Sequence, residues 1–448
     1  MSEHINYSYP TRLSILRFFK DAEGVRRNPI PFHKRYFEKF GDSFSIRIGL
    51  SRYIILSRDN EIAQYILVKN QRNYNKSKFQ SVYLSKYLGK GLLTSDGDFW
   101  LKQRRLIQPA FHKQKMNQLV DNMNKTITAE VDNLDENKFF DVFPAMSQLA
   151  FNVVAKSLFE FSISEEKLHR IKFIIEEVQK FLVKEIRLPH KALWFSLSGQ
   201  VRKHLNLAEE NNNIIQEIIE GRNASNEEYN DLLNMLMETR YEDTGESMSM
   251  QQLIDEIKVL FIAGHETTAN ALTFTLHFLG RYPEIQQKIF DEITEIESHT
   301  DNVIEQLQKM TYTNAVLNES MRLYPPAWIT DRENVEDDSL TEFKIKKSTL
   351  IGISFYELHR NPKYWDIPDQ FIPERFLGEQ KKKSMQYFYP FGAGPRMCIG
   401  TGFAIYEMCL TISQIVKKYE IKTKNETVNF NPLVTLKPVN IEVSFSKR

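Results

Sequence analysis

The stretch "FGAGPRMCIG", residues 391–400, sets three glycines, a proline and an arginine around one of only two cysteines in the chain. Beyond it, "TGFAIYEMCLTISQIVKKY" (401–419) carries Phe403, Ile405, Met408, Ile412 and Ile415 at helical spacing, so Cys398 is predicted to stand just before or at a helix N-terminus. The free N–H groups and dipole of such an end favour thiolate over thiol, and glycines let a backbone pass close to a bulky flat ligand. Taken alone, a cysteine at a helix start is more often a small buried hydrophobe than a ligand. The second cysteine, Cys409, falls on an apolar face of the same predicted helix and reads as core.

The rest of the chain bounds what that thiol can do. With 448 residues, 42% of them hydrophobic, the chain can bury a large core. Its 59 Lys and Arg nearly balance 58 Asp and Glu, which leaves no bulk field for nucleic acid. Two cysteines eleven residues apart make no disulfide framework and suit a reducing, cytoplasmic compartment. The apolar patch from Leu13 to Phe19 is interrupted by Arg17 and is shorter than the roughly 18 to 20 residues a membrane span requires. The window "VLFIAGHETTANALTFTLHFLG" (259–280) is broken by His265 and Glu266 and reads as a buried helix, so no membrane anchor is expected. That helix is expected to run from about Met250 to Gly280, where "GRYP" supplies a glycine stop and a following proline. Near the start, Phe44, Ile46 and Ile48 alternate and Ile54 and Leu56 resume the pattern after Gly49, which predicts a hairpin; Val439, Ile441, Val443 and Phe445 predict a late strand. Most of the remainder has helical spacing, with no fixed repeat and no Pro/Gly/Ser-rich linker. The expected fold is mainly α with small β-sheets, in a single domain over 1–448.

Phe391, Gly394, Arg396, Cys398 and Gly400 match the spacing Phe-x-x-Gly-x-Arg-x-Cys-x-Gly, and here the chain resembles the cytochrome P450 superfamily of haem-thiolate enzymes, of the soluble bacterial type. The resemblance implies that Cys398 is the axial ligand of a haem b iron, that Arg396 contacts a haem propionate, and that Phe391 and Gly400 lie close to the sulfur and the ring. Three further motifs follow in the expected order over roughly residues 30–445. "AGHETT" (263–268) is similar to the family's (Ala/Gly)-Gly-x-(Asp/Glu)-Thr signature, which places Ala263 and Gly264 against the haem, with room for dioxygen, and makes Glu266 and Thr267 an acid and alcohol that relay protons. By itself the motif reads as a polar notch on an apolar helix. Glu319 and Arg322 stand three apart before Pro325 and Pro326, ordinarily a surface pair of little weight. The family joins such a pair to an arginine in a structural triad, here Arg375 of "HRNPKYWDIPDQFIPERF" (359–376). Trp100 and Arg104 in "DGDFWLKQRRLIQPAFH" (96–112) resemble the family's propionate-binding Trp-x-x-x-Arg pair, though alone they make an ordinary cation–π spacing.

What the resemblance implies for function is a monooxygenase that places one atom of dioxygen in a C–H bond and reduces the other to water. Electrons are expected from NAD(P)H through a separate ferredoxin or flavodoxin with its reductase, since the chain has neither a CxxC set nor room for a flavin domain. Lys102, Arg105, Lys113, Lys115 and Lys381 to Lys383 offer a basic surface for such a partner. A monomer is expected. By family analogy the substrate pocket draws on segments 73–93 and 187–195 and on Ile262, Trp328, Ile329, Thr330, Thr435 and Leu436. The bulk of Trp194 and Trp328 argues for a small or medium substrate, hydroxylated or O-demethylated, such as a methylated sugar or phenol ether; a fatty acid or terpenoid hydroxylase is the alternative. A peroxide-driven relative, an isomerase or a non-turnover haem-thiolate sensor would have no use for Glu266 and Thr267.

Overall fold

A computed structural model describes residues 6–48, 52–134, 137–160, 163–225, 227 and 229–448. Helices dominate and the sheets are small, as the spacing predicts. The chain divides into two compact units: Met1–Ser77 with Ala315–Cys398 and Phe430–Lys437, and Lys78–Asn314 with Ile399–Asn429 and Pro438–Arg448.

The first unit is built on a six-stranded mixed sheet. Ser43–Ile48 and Arg52–Ser57 form the predicted hairpin, with Phe44 opposite Leu56 and Ile46 opposite Ile54; Gly49, expected at its turn, lies outside the described residues. Arg52–Ser57 then pairs in parallel with Leu350–Ser354, which pairs antiparallel with Ile329–Asn334. Because side chains alternate across a strand, neighbouring residues feed different cores. Leu56 joins Leu13, Phe32, Tyr36, Phe37 and Phe44 on one face, while Ile55 joins Ile351, Ile353, Leu340, Ile345 and Tyr74 on the other.

The second unit is centred on the helix Met250–Arg281, 32 residues long. Ser249 caps it, its hydroxyl accepting the Gln252 N–H at 3.2 Å. The helix is buried nearly all round, from Leu253 to Leu279, and packs on the helices Phe143–Phe159 and Thr401–Lys418. It runs one residue past the glycine predicted to stop it. Gly280 serves packing instead: a Cβ there would stand 2.6 Å from the Thr423 amide nitrogen, so only glycine lets the strand Tyr419–Thr423 lie this close. That strand pairs antiparallel with Glu442–Lys447, which in turn pairs with Phe140–Asp141. The late strand thus starts three residues after its alternation begins, because Asn440 adopts a left-handed φ of 51° that breaks the extended run.

Candidate active site

The cysteine loop turns on two left-handed glycines, Gly392 at φ 73° and Gly394 at φ 68°. At Gly394 a side chain is excluded twice over, since a Cβ would fall 2.0 Å from the Leu67 carbonyl oxygen. The loop closes on itself where the Cys398 N–H donates to the Phe391 carbonyl at 2.9 Å and the Met397 N–H to that of Gly394 at 3.0 Å. Phe391 is thereby held beside the cysteine backbone. Arg396 is tethered further off: its Nη1 donates to the Tyr74 carbonyl at 2.5 Å, and the Tyr74 phenol donates to Asp338 Oδ2 at 2.6 Å. Asp338 also accepts Tyr65 Oη and Asn70 Nδ2, each at 3.0 Å. Burial and that carboxylate together drive the Tyr74 phenol far above its ordinary pKa, so it remains a donor. The next helix, Thr401–Lys418, begins three residues beyond Cys398, where the apolar spacing predicts it, with Gly400 at its cap.

The two thiols differ in kind. Cys398 is exposed, whereas Cys409 is 1% exposed and burial pushes its thiol up to about 12 against a hydrogen bond with Asn314. At neutral pH Cys409 is an inert core thiol.

On the long helix, Ala263 is exposed and Ile262, Gly264, Glu266 and Thr267 are half-buried, in a helix otherwise enclosed along this stretch. Thr267 Oγ1 donates to the Ala263 carbonyl at 2.6 Å, a bond within its own helix that stores the hydroxyl without fixing its lone pairs. The missing side chain of Gly264 faces Val154: a Cβ would stand 2.9 Å from Val154 Cγ2, so close packing on Phe143–Phe159 accounts for the glycine. His265 points into the core, its Nδ1 bonded to the Phe261 carbonyl at 2.8 Å, and burial lowers its pKa. Thr268, also buried, meets Glu407 of Thr401–Lys418, a fully buried carboxyl that burial pushes well above the usual carboxylate range.

Glu319, Arg322 and Arg375 come together in the first unit, all buried. Arg322 grips Glu319 with two hydrogen bonds of 2.7 and 2.8 Å, and Arg375 Nε stands 3.4 Å from Glu319 Oε1. The rest of the Arg322 guanidinium donates to the carbonyls of His359, Pro368 and Gln370 at 2.7 to 3.0 Å, and it lies 5.1 Å from the Trp365 ring centroid. Glu319 Oε1 also accepts the Ile372 N–H at 2.8 Å.

Trp100 and Arg104 share a face of the helix Gly97–Ile107, Trp100 buried and Arg104 half-buried. Of the pocket candidates, Ile329, Thr330 and Thr435 are half-buried and Leu436 is fully buried. Trp328 is core: it donates Nε1–H to the Leu433 carbonyl at 3.1 Å and packs on His33. Trp194 is 62% exposed. Among the basic candidates Lys102 is already engaged by Asp243 at 2.7 Å, while Arg105, Lys115 and Lys381 to Lys383 are exposed.

Several residues escape sequence reasoning. Asp255 and Glu256, buried on the long helix, accept the backbone N–H groups of Lys90 and Leu92, and Asp338 and Tyr74 stand 264 residues apart. The only available signal for the first pair was "LGKGLL", whose glycines ask for a close neighbour.

Cys398 is an exposed thiol on a loop turned by two left-handed glycines, three residues before a helix. The chain belongs to the cytochrome P450 family, whose family model matches residues 8–445, and it is a cytochrome P450 monooxygenase. It is 29% identical over 384 residues to the cyclooctat-9-en-7-ol 5-monooxygenase of Streptomyces melanosporofaciens, covering 85% of this chain and 83% of the relative. It is 29% identical over 435 residues to the cytokinin hydroxylase of Arabidopsis thaliana, covering 93% and 84%. A cyanobacterial CYP120A1 solved with retinoic acid bound shares the fold, with a TM-score of 0.82 at 21% identity over 99% of this chain and 100% of that one. Among the described residues no helix is long and apolar enough to cross a membrane. The residues fit a haem in that Cys398 offers a soft, accessible sulfur donor.

Proposed function

We propose that the chain hydroxylates an apolar, terpenoid-like or fatty-acid-like molecule. The observation that carries this is the apolar wall around Ile262. Leu84, Tyr87, Leu88, Ile174, Val178, Phe181 and Leu182 form a buried cluster, and half-buried Phe79, Leu93, Ile186, Leu188 and Ile262 pack against it. Those five half-buried side chains carry no polar atom, so they reward an aliphatic guest by about 25 cal/mol per Å² and offer a sugar no hydrogen bond. The 29% identical relative named for oxidising cyclooctat-9-en-7-ol supports the same reading. O-demethylation of a methylated sugar fits this wall poorly.

In this proposal Cys398 would hold the haem iron through its sulfur, Trp100, Arg104 and Arg396 would hold the propionates, and Phe391, Gly400, Ala263 and Gly264 would lie near the ring. Bound haem supplies the activation of dioxygen. Glu266 and Thr267 move protons towards it, and Glu319, Arg322 and Arg375 hold the fold of the first unit. Electrons come from NAD(P)H through a separate ferredoxin or flavodoxin with its reductase, which would meet exposed basic side chains such as Arg105 and Lys115. The protein works as a cytoplasmic monomer, one haem domain over 1–448.

The test is a panel of terpenoid alcohols, long-chain fatty acids, phenol ethers and methylated sugars added to the haem-loaded protein while the haem spectrum is followed. Apolar members are expected to shift it at micromolar concentration; a shift confined to the sugars defeats the proposal. The relay is tested separately. Thr267→Ala is expected to keep its haem and its oxygen uptake but to convert severalfold less substrate per electron, with hydrogen peroxide rising to match, because the hydroxyl that passes the proton is gone. Unchanged coupling in Thr267→Ala, together with slowed turnover in Glu266→Gln, removes Thr267 from the relay.

A further inference from the structure

The segment that ends at Leu93 is mounted on the long helix by two buried carboxylates. Asp255 Oδ2 accepts the Lys90 N–H at 2.8 Å, and Glu256 Oε2 accepts the Leu92 N–H at 2.9 Å. Their other oxygens are taken: Asp255 Oδ1 by Gln251 Nε2 at 3.0 Å and by Lys258 Nζ at 3.0 Å, and Glu256 Oε1 by Gln252 Nε2 at 2.8 Å. Gln252 Nε2 also reaches the Lys90 carbonyl at 3.0 Å. Asp255 and Glu256 are 5% and 1% exposed. Taking carboxylates out of water costs several kcal/mol unless each lone pair meets a donor, so these two hold whatever satisfies them firmly in place.

Backbone shape enforces the same register. Gly89 adopts φ 74°, and a Cβ on it would fall 2.0 Å from Asp255 Oδ1; a Cβ on Gly91 would fall 2.7 Å from Val259 Cγ2. Glycine at both positions is what allows the loop to sit on the carboxylates. At the other end of the segment, Lys86 Nζ and Tyr87 Oη reach Glu185 of the helix Glu165–Arg187 at 2.8 and 2.5 Å. Three carboxylates from two helices therefore fix a short stretch whose Tyr87, Leu88 and Leu93 belong to the apolar wall around Ile262.

We propose that Asp255 and Glu256 are positioning residues for substrate specificity: by clasping the amides of Lys90 and Leu92 they set where the Leu88 to Leu93 wall stands, and so the size of guest the chamber admits. This rests on reading the Ile262 wall as the substrate chamber. Asp255→Asn and Glu256→Gln keep shape and volume but place an amide NH2 where a donor already points, breaking at least one bond at each site.

The experiment compares both variants with the wild type by amide hydrogen exchange over 85–95 and by spectral titration with imidazole and with clotrimazole. Both ligands bind a haem iron through nitrogen, and they differ in bulk. Expected are protected Lys90 and Leu92 amides in the wild type, exchange about tenfold faster there in each variant, unchanged haem content, and a clotrimazole-to-imidazole affinity ratio altered at least fivefold. Three outcomes overturn the proposal: wild-type amides that exchange at open-loop rates, variants whose exchange is unchanged, or faster exchange with an unaltered affinity ratio. Should neither variant fold, the wild-type exchange alone decides whether the clasp exists. A protein that takes up no haem fails the chamber reading instead, and the exchange arm still judges the clasp.

Discussion

Cys398→Ser is expected to abolish the thiolate-type absorbance of the reduced carbon monoxide adduct, while Cys409→Ser leaves it intact. The two thiols are eleven residues apart, yet their surroundings separate them completely. Cys398 is exposed and so open to a ligand, three residues before the helix Thr401–Lys418. Cys409 is enclosed, and its thiol is pushed up to about 12, so it carries no thiolate for iron at neutral pH. A hydroxyl at Cys398 retains the shape of the loop but is too weak and too basic a donor to hold the iron as sulfur does. Haem loss of tenfold or more is expected, and whatever haem remains should absorb where nitrogen-ligated haem does. Cys409→Ser places a hydroxyl near Asn314 and costs about 1 to 3 kcal/mol of stability, with the spectrum unchanged. If the Cys409 variant loses the absorbance and the Cys398 variant keeps it, the ligand assignment is wrong.

Arg322→Ala is expected to yield no stable haem-loaded protein. Removing the guanidinium leaves Glu319 buried with its charge facing only the Ile372 N–H and the more distant Arg375, a loss of about 3 to 5 kcal/mol. It also strips a donor from the carbonyls of His359, Pro368 and Gln370, at about 1 to 3 kcal/mol for each that finds no water. The sum is comparable with the roughly 5 to 15 kcal/mol by which a domain is stable. Arg322→Lys keeps the charge but not the fork, and should fold partially or at lower temperature. Denaturant melts and haem content check both variants. A fully loaded Arg322→Ala that melts like the wild type and merely turns over slowly would show the arginine to be catalytic and not structural.

Much of this was readable in the chain. The helix Met250–Arg281 declares itself by its long apolar run and the hairpin by alternation, because both are local rules of spacing. Cys398 stood out through its neighbours' spacing. What escaped reading depends on partners far away in sequence. Gly280 looks like a helix stop, yet it is glycine because the Thr423 backbone comes within 3 Å of where a Cβ would be. The clasp of Asp255 and Glu256 spans more than 160 residues, and nothing in "DEIK" distinguishes buried acids from a solvated face.

Arg322 also bears on how this chain can change. The stretch from His359 to Gln370 contains little regular structure, and its shape is read by one side chain through three main-chain oxygens. Main-chain oxygens are the same in every amino acid. The stretch is therefore free to drift in composition at exposed sites such as Asp366 and Asp369 while its length stays locked, since dropping a single residue would move the Pro368 and Gln370 oxygens out of reach. In a lineage descended from this protein, substitutions should accumulate here and gaps should not.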